Sequence, residues 1–143
     1  LAVDVDLEEL ARCVGRVARR WGLRYVVLYG SRAEGYAGPH SDYDLAVRAG
    51  RGLGLRERGA LFSELESCLP PGARLDLVLL DDWDPVLAWE ALGRGKLIYY
   101  CGESCLREYY EDLARALDEV ADLEPVIRLF RREARRALAG YRG

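Results

Sequence analysis

The sequence predicts an α+β domain, a small mixed sheet of about four strands with helices packed against it. Three observations carry this. Four short apolar runs, at residues 24–29, 43–48, 74–80 and 96–100, have the length of strands, and the second and third alternate apolar with polar side chains. Stretches with helical spacing lie between and around them. Clusters of Gly, Ser, Pro and Asp punctuate the boundaries. At 143 residues, half of them hydrophobic, the chain has the size of one domain with a real core.

Asp6 with Glu9 reads as a capping box opening the first helix, and Leu7, Leu10, Val14, Val17 and Trp21 form its apolar stripe. Gly22 is its natural stop. Residues 24–29 read as a strand buried on both faces, and residues 30–41 as a loop rich in Gly, Ser and Pro. In the next strand Tyr43, Leu45 and Val47 alternate with Asp44 and Ala46, which predicts a core face and a separate chemical face.

A helix follows over residues 55–69, ended by Pro70-Pro71-Gly72. In the third strand Leu75, Leu77 and Leu79 share one face, with Asp76 and Val78 on the other. Asp84-Pro85 is an N-cap with Pro at the first helical position, opening a helix that runs to Leu92 and ends at Gly93. Asp81 and Asp82 read as turn residues, and Trp83 and Trp89 as packing residues. After the strand at 96–100 come two predicted helices, at 104–120 and 123–140. The expected organisation is a core over residues 1–101 and a helical extension over 102–143 packed on the same domain.

The net charge of −3 argues against direct nucleic-acid binding by the molecule as a whole. The acidic N-terminal residues Asp4, Asp6, Glu8 and Glu9 do not resemble a secretory signal, and no run approaches a membrane span, so a cytoplasmic location is expected. Residues 103–122 are acidic and residues 128–142 basic, which suits helices that neutralise each other or face water. Asn, Gln, Thr and Met are absent, a composition compatible with thermophily. Cys13, Cys68, Cys101 and Cys105 fit no zinc spacing, and the expectation for a cytoplasmic protein is free thiols. A hyperthermophilic source would instead make Cys13–Cys68 and Cys101–Cys105 the pairs to test.

One segment carries chemistry. Gly30-Ser31 stands at a strand end, and ten residues later Asp42-Tyr43-Asp44 opens the next strand. A Gly-Ser turn lets backbone N–H groups approach a phosphate. Carboxylates spaced i, i+2 on a strand point to one face. If the third strand lies beside the second, Asp42, Asp44 and Asp76 meet on one surface. Their mutual repulsion, roughly 4 kcal/mol per pair at 4 Å, then calls for a proton or a divalent cation. His40, the only histidine, reads as a solvated loop residue.

Gly-Ser, a ten-residue spacer and Asp-x-Asp together resemble the nucleotidyltransferase superfamily that includes DNA polymerase beta. The short spacer and small size resemble its minimal nucleotidyltransferases, the MNT type found with HEPN toxins. The resemblance implies the fold already outlined, ATP as substrate, and two Mg²⁺ ions held by Asp42, Asp44 and Asp76. It also implies that Asp76 accepts a proton, and that Gly30 and Ser31, with Arg32, bind phosphate. It further implies transfer of AMP to a tyrosine hydroxyl of a partner HEPN ribonuclease toxin, the chain acting as antitoxin in a homo- or hetero-oligomer. Two alternatives stay open: a small hydroxylated acceptor such as an antibiotic, and a non-catalytic module that binds nucleotide or toxin.

Overall fold

In a computed structural model, residues 2–35, 37–38 and 42–142 are described, with side chains from 7 to 140. The element order is α1 (Ala2–Trp21), β1 (Tyr25–Tyr29), α2 (Ser31–Glu34), β2 (Tyr43–Arg48), α3 (Leu55–Glu66), β3 (Leu75–Leu79), α4 (Pro85–Arg94), β4 (Lys96–Tyr100) and α5 (Glu103–Arg142). The four strands form one sheet in the order β3-β2-β1-β4. β1 runs antiparallel to β2 and β4, while β2 and β3 are parallel and joined through α3. The mixed sheet with packed helices is the expected α+β architecture.

Helices cover both faces of the sheet. On one face Leu10, Val14 and Val17 of α1 and Leu61 and Leu65 of α3 pack on Val26, Leu28, Leu45 and Val47. On the other, Ala88, Ala91 and Leu92 of α4 and Tyr109 and Ala116 of α5 pack on Tyr25, Val27, Tyr29 and Ala46. Ala46 is fully buried, so the side of β2 that carries Asp44 is not an open chemical face. It is a second core, and the carboxylates lie where its helical cover stops.

Several boundaries differ from the sequence reading. α1 begins at Ala2, so Asp6 lies inside the helix and is not its cap; its side chain lies outside the described residues. The acidic residues before Leu10 suit the positive end of the helix dipole, which lets the helix start earlier. Gly22 ends α1 as expected, with φ of 65° and a Leu23 N–H donating to the Ala18 carbonyl at 2.9 Å. The first residues of the predicted loop at 30–41 form the short helix α2. α4 passes through Gly93 to Arg94, and a Cβ at Gly93 would crowd the Trp89 ring one turn earlier.

The two predicted C-terminal helices are one 40-residue helix that contains Pro125. Proline deprives the Ala121 carbonyl of its helical donor, but Ala121 is exposed, so water can satisfy that oxygen. The first half of α5 is tied to the sheet by buried charge. The Tyr25 hydroxyl donates to Asp112 at 2.6 Å, and Arg48 meets Glu108 at 3.2 Å and Asp112 at 3.5 Å. Burial raises the Asp112 carboxyl despite these partners.

Asp84 caps α4 by accepting from the N–H groups of Val86 and Leu87, Asp81 accepts from Ala49 and Gly50, and Asp82 pairs with Arg58. These are the cap and turn roles read from the sequence. Trp83 packs beneath Arg115 and donates to Glu119, whereas Trp89 is partly exposed. The cysteines are bonded as Cys13–Cys68 and Cys101–Cys105, not free. The first bond joins α1 to the end of α3, and the second closes the entry to α5. No helix among the described residues is long and apolar enough to cross a membrane.

Candidate active site

The parallel pairing of β2 with β3 sets Asp44 opposite Asp76. Antiparallel pairing sets Tyr29 opposite Asp44 from the other side. In-register residues on neighbouring strands share a face, so three polar side chains from three strands meet at one end of the sheet. Asp42 stands just before β2, exposed and near enough to act on Asp44 through its charge.

Gly30 makes this corner possible. Its φ of 71° and ψ of −157° belong to a region closed to side-chain-bearing residues. A Cβ at Gly30 would collide with the Asp44 carboxylate. β1 therefore turns into α2 directly over the carboxylate, with Ser31 as the first helical residue. The Gly30 carbonyl accepts from the N–H groups of Ala33 and Glu34, each at 3.1 Å, which fixes the turn.

The Asp44 carboxyl is pushed up to about 6, first by burial, then by the charges of Asp76 and Asp42, by a hydrogen bond in which it donates to Asp76, and by Glu90. Two carboxyl groups joined by a hydrogen bond share one proton between them. The Tyr29 hydroxyl is raised by burial, then by Asp76, Asp44 and Glu90, and stays a neutral phenol. Tyr29 and Glu90 were not among the candidates. Alternation with Tyr25 and Val27 could have placed Tyr29 on this face, whereas nothing near Glu90 in sequence marks it, since only the docking of α4 brings it here.

The structure gathers Asp44 with Asp76, while Asp42 stands beside them. No three His, Cys, Asp or Glu side chains among the described residues are clustered as a ready cation site. The pair still fits a divalent ion in its chemistry: hard oxygen donors, and a shared proton that a cation can replace. Arg32 lies elsewhere. Its guanidinium sits 4.3 Å over the Tyr43 ring, and Tyr43 belongs to the α1 and α3 core, on the face opposite Asp44. His40, Ser41 and Tyr36 lie outside the described residues.

Comparison with known proteins adds the following. Residues 17–103 match the family model described as polymerase beta, nucleotidyltransferase. No curated protein matches the chain. Among solved structures, the chain resembles one from the complex of a tri-AMPylated Shewanella oneidensis HEPN toxin with an MNT antitoxin. The identity is 19%, the match covers 90% of this chain and 98% of that one, and the TM-score is 0.70. It also resembles a chain of a toxin–antitoxin complex with AMP-PNP, at 24% identity, 82% and 94% coverage and a TM-score of 0.65. A third is spectinomycin adenyltransferase from Enterococcus faecialis with ATP and spectinomycin, at 16% identity, 80% and 65% coverage and a TM-score of 0.52. At these identities the likeness is one of fold.

Proposed function

The chain belongs to the polymerase beta nucleotidyltransferase family, and on that footing we propose that it transfers AMP from ATP to a hydroxyl group. The acceptor is a tyrosine of a partner HEPN-type toxin, which makes the chain an antitoxin. The observation that supports this reading most is the Asp44–Asp76 pair under the Gly30 corner, with Asp42 at its edge. A raised carboxyl that shares a proton with its neighbour is a site waiting for positive charge.

Asp42, Asp44 and Asp76 would hold magnesium together with the triphosphate. When bound, the metal supplies charge neutralisation at the phosphate oxygens and a lowered pKa for the attacking hydroxyl. The chain's own residues do the rest. Ser31 and the backbone N–H groups at Gly30 and Ser31 hold phosphate oxygens. Asp76, the more exposed of the pair, takes the acceptor's proton. The hydroxyl oxygen bonds to the α-phosphorus, the bond to the β-phosphate oxygen breaks, and pyrophosphate leaves. Tyr29 stays protonated and offers a hydrogen bond to Asp44 or to a phosphate oxygen. Arg32, stacked on Tyr43, would have to leave that ring to reach a phosphate.

Two of the similar structures support the acceptor class: one contains an AMPylated HEPN toxin, and another is an adenyltransferase of spectinomycin. The match covers 65% of the latter enzyme's length. The test is intact mass spectrometry of a HEPN partner incubated with the chain, ATP and Mg²⁺. An added AMP that disappears with Asp44→Asn supports the proposal. An unmodified partner under saturating ATP rejects it, and AMP found instead on an added aminoglycoside or spectinomycin supports the small-acceptor reading.

A further inference from the structure

The sheet ends at β3, directly beside the carboxylate pair, and β3 has no strand on its outer side. The Arg74 carbonyl accepts from the Tyr43 N–H at 2.9 Å, and the Leu80 N–H donates to the Val47 carbonyl at 2.8 Å. Main-chain groups alternate in direction along a strand. Those of Asp76 and Val78 therefore face β2, and those of Leu75, Leu77 and Leu79 face outward. Among the described residues only the Leu79 carbonyl has a partner there, the Asp82 N–H at 3.1 Å. The other edge of the sheet is blunted and this one is not. β4 pairs with β1 through a register shift opposite Val26 and Val27, and it opens on the exposed Lys96. A shift and a lysine are both devices that stop a further strand from adding. β3 pairs with β2 without a break over its five residues, and its one charge is Asp76.

Unpaired N–H and C=O groups in alternation are the chemistry that recognises another extended chain, and register selects which one. A strand laid on β3 sets one residue opposite Asp76, and in-register residues share a face. That residue's side chain then stands beside Asp76, on the face that also carries Asp44, where Asp76 is exposed to receive it. A second copy suits the edge poorly. Two β3 strands paired antiparallel about Leu77 would put their Asp76 carboxylates diagonally across the pair, like charge near like. We propose that an extended segment of the acceptor protein adds to the β3 edge through the main chain of Leu75 and Leu77, and so carries its tyrosine to Asp76. The proposal deepens the function given above and rests on it.

Amide hydrogen exchange of the full chain, resolved by NMR, tests it with a HEPN partner and AMP-PNP. In the chain alone the Leu77 N–H should exchange fast, beside slow Asp76 and Val78 N–H groups. With the partner it should slow at least about tenfold. Unchanged exchange overturns the proposal, and so does protection that arises without partner as the chain's own concentration rises. Two variants give a second reading. Leu77→Ala keeps the outward N–H, whereas Leu77→Pro removes it without touching a bond to β2. AMP transfer to the partner should be at least about tenfold lower in Leu77→Pro than in Leu77→Ala, with equal ATP binding. Equal transfer by the two variants overturns docking at the edge. No transfer by the native chain rejects instead the function on which the proposal rests, so the two failures are told apart.

Discussion

Replacing Asp44 by Asn should make the metal-free protein more stable at alkaline pH while abolishing nucleotide transfer. In the folded chain Asp44 titrates at about 6 instead of its ordinary 3.8. Below 3.8 the group is protonated whether folded or unfolded, so its contribution to stability is fully present. As pH rises through about 6 that contribution is lost, because the unfolded chain releases the proton more readily. In a dry site the shift would correspond to about 3 kcal/mol; partial solvation of Asp44 reduces this to about 1–2 kcal/mol. Asparagine keeps the shape and still donates to Asp76, but never ionises. Near pH 8 without metal, Asp44→Asn should melt about 3–6 °C above wild type. Near pH 4 the two should coincide. Differential scanning calorimetry in EDTA at both pH values reads this directly. A variant less stable than wild type near pH 8, or a gap that is the same at both pH values, would refute the reasoning that unrelieved carboxylate charge strains the site.

The remaining predictions concern the corner, the buried charges and the cysteines. Gly30→Ala forces a side chain into a left-handed conformation and onto Asp44; it should destabilise by about 1–3 kcal/mol and remove ATP binding, checked by thermal melts and nucleotide titration. Arg48→Met leaves Asp112 and Glu108 without their shared cation, and urea unfolding should show a loss of about 2–4 kcal/mol. Alkylation of the unfolded, unreduced chain should label no cysteine, and after reduction all four, since both pairs are bonded. Reduction should also lower the melting temperature, because Cys13–Cys68 closes a loop of 55 residues, worth up to about 4 kcal/mol in the chain-entropy account.

The strands and the pairing of carboxylates were legible because strand alternation and the Gly-Ser corner are local signals. Asp44 and Asp76 each stand one step out of phase with leucines, and parallel pairing of their strands did the rest. Three features were not legible, each for a tertiary reason. Ala46 reads as part of an open face until α4 and α5 cover it. Residues 120–123 read as a gap between two helices, but one helix runs through them and through Pro125, whose orphaned carbonyl partner is solvated. Glu90 joins the site only through the packing of α4, so no spacing in the sequence could reveal it. Arg32 illustrates the converse, since its place in the motif suggests phosphate while Tyr43 offers it a ring.

In the proposed function, Asp42, Asp44 and Asp76 jointly hold a divalent ion against a nucleotide seated at Gly30 and Ser31. A crystal grown with Mg²⁺ and AMP-PNP tests it most directly. The expected result is a cation coordinated by Asp44 and Asp76, Asp42 drawn in beside them, and the triphosphate under the Gly30 turn. A nucleotide bound on the Tyr43 face, or an ion that Asp76 does not touch, would contradict it.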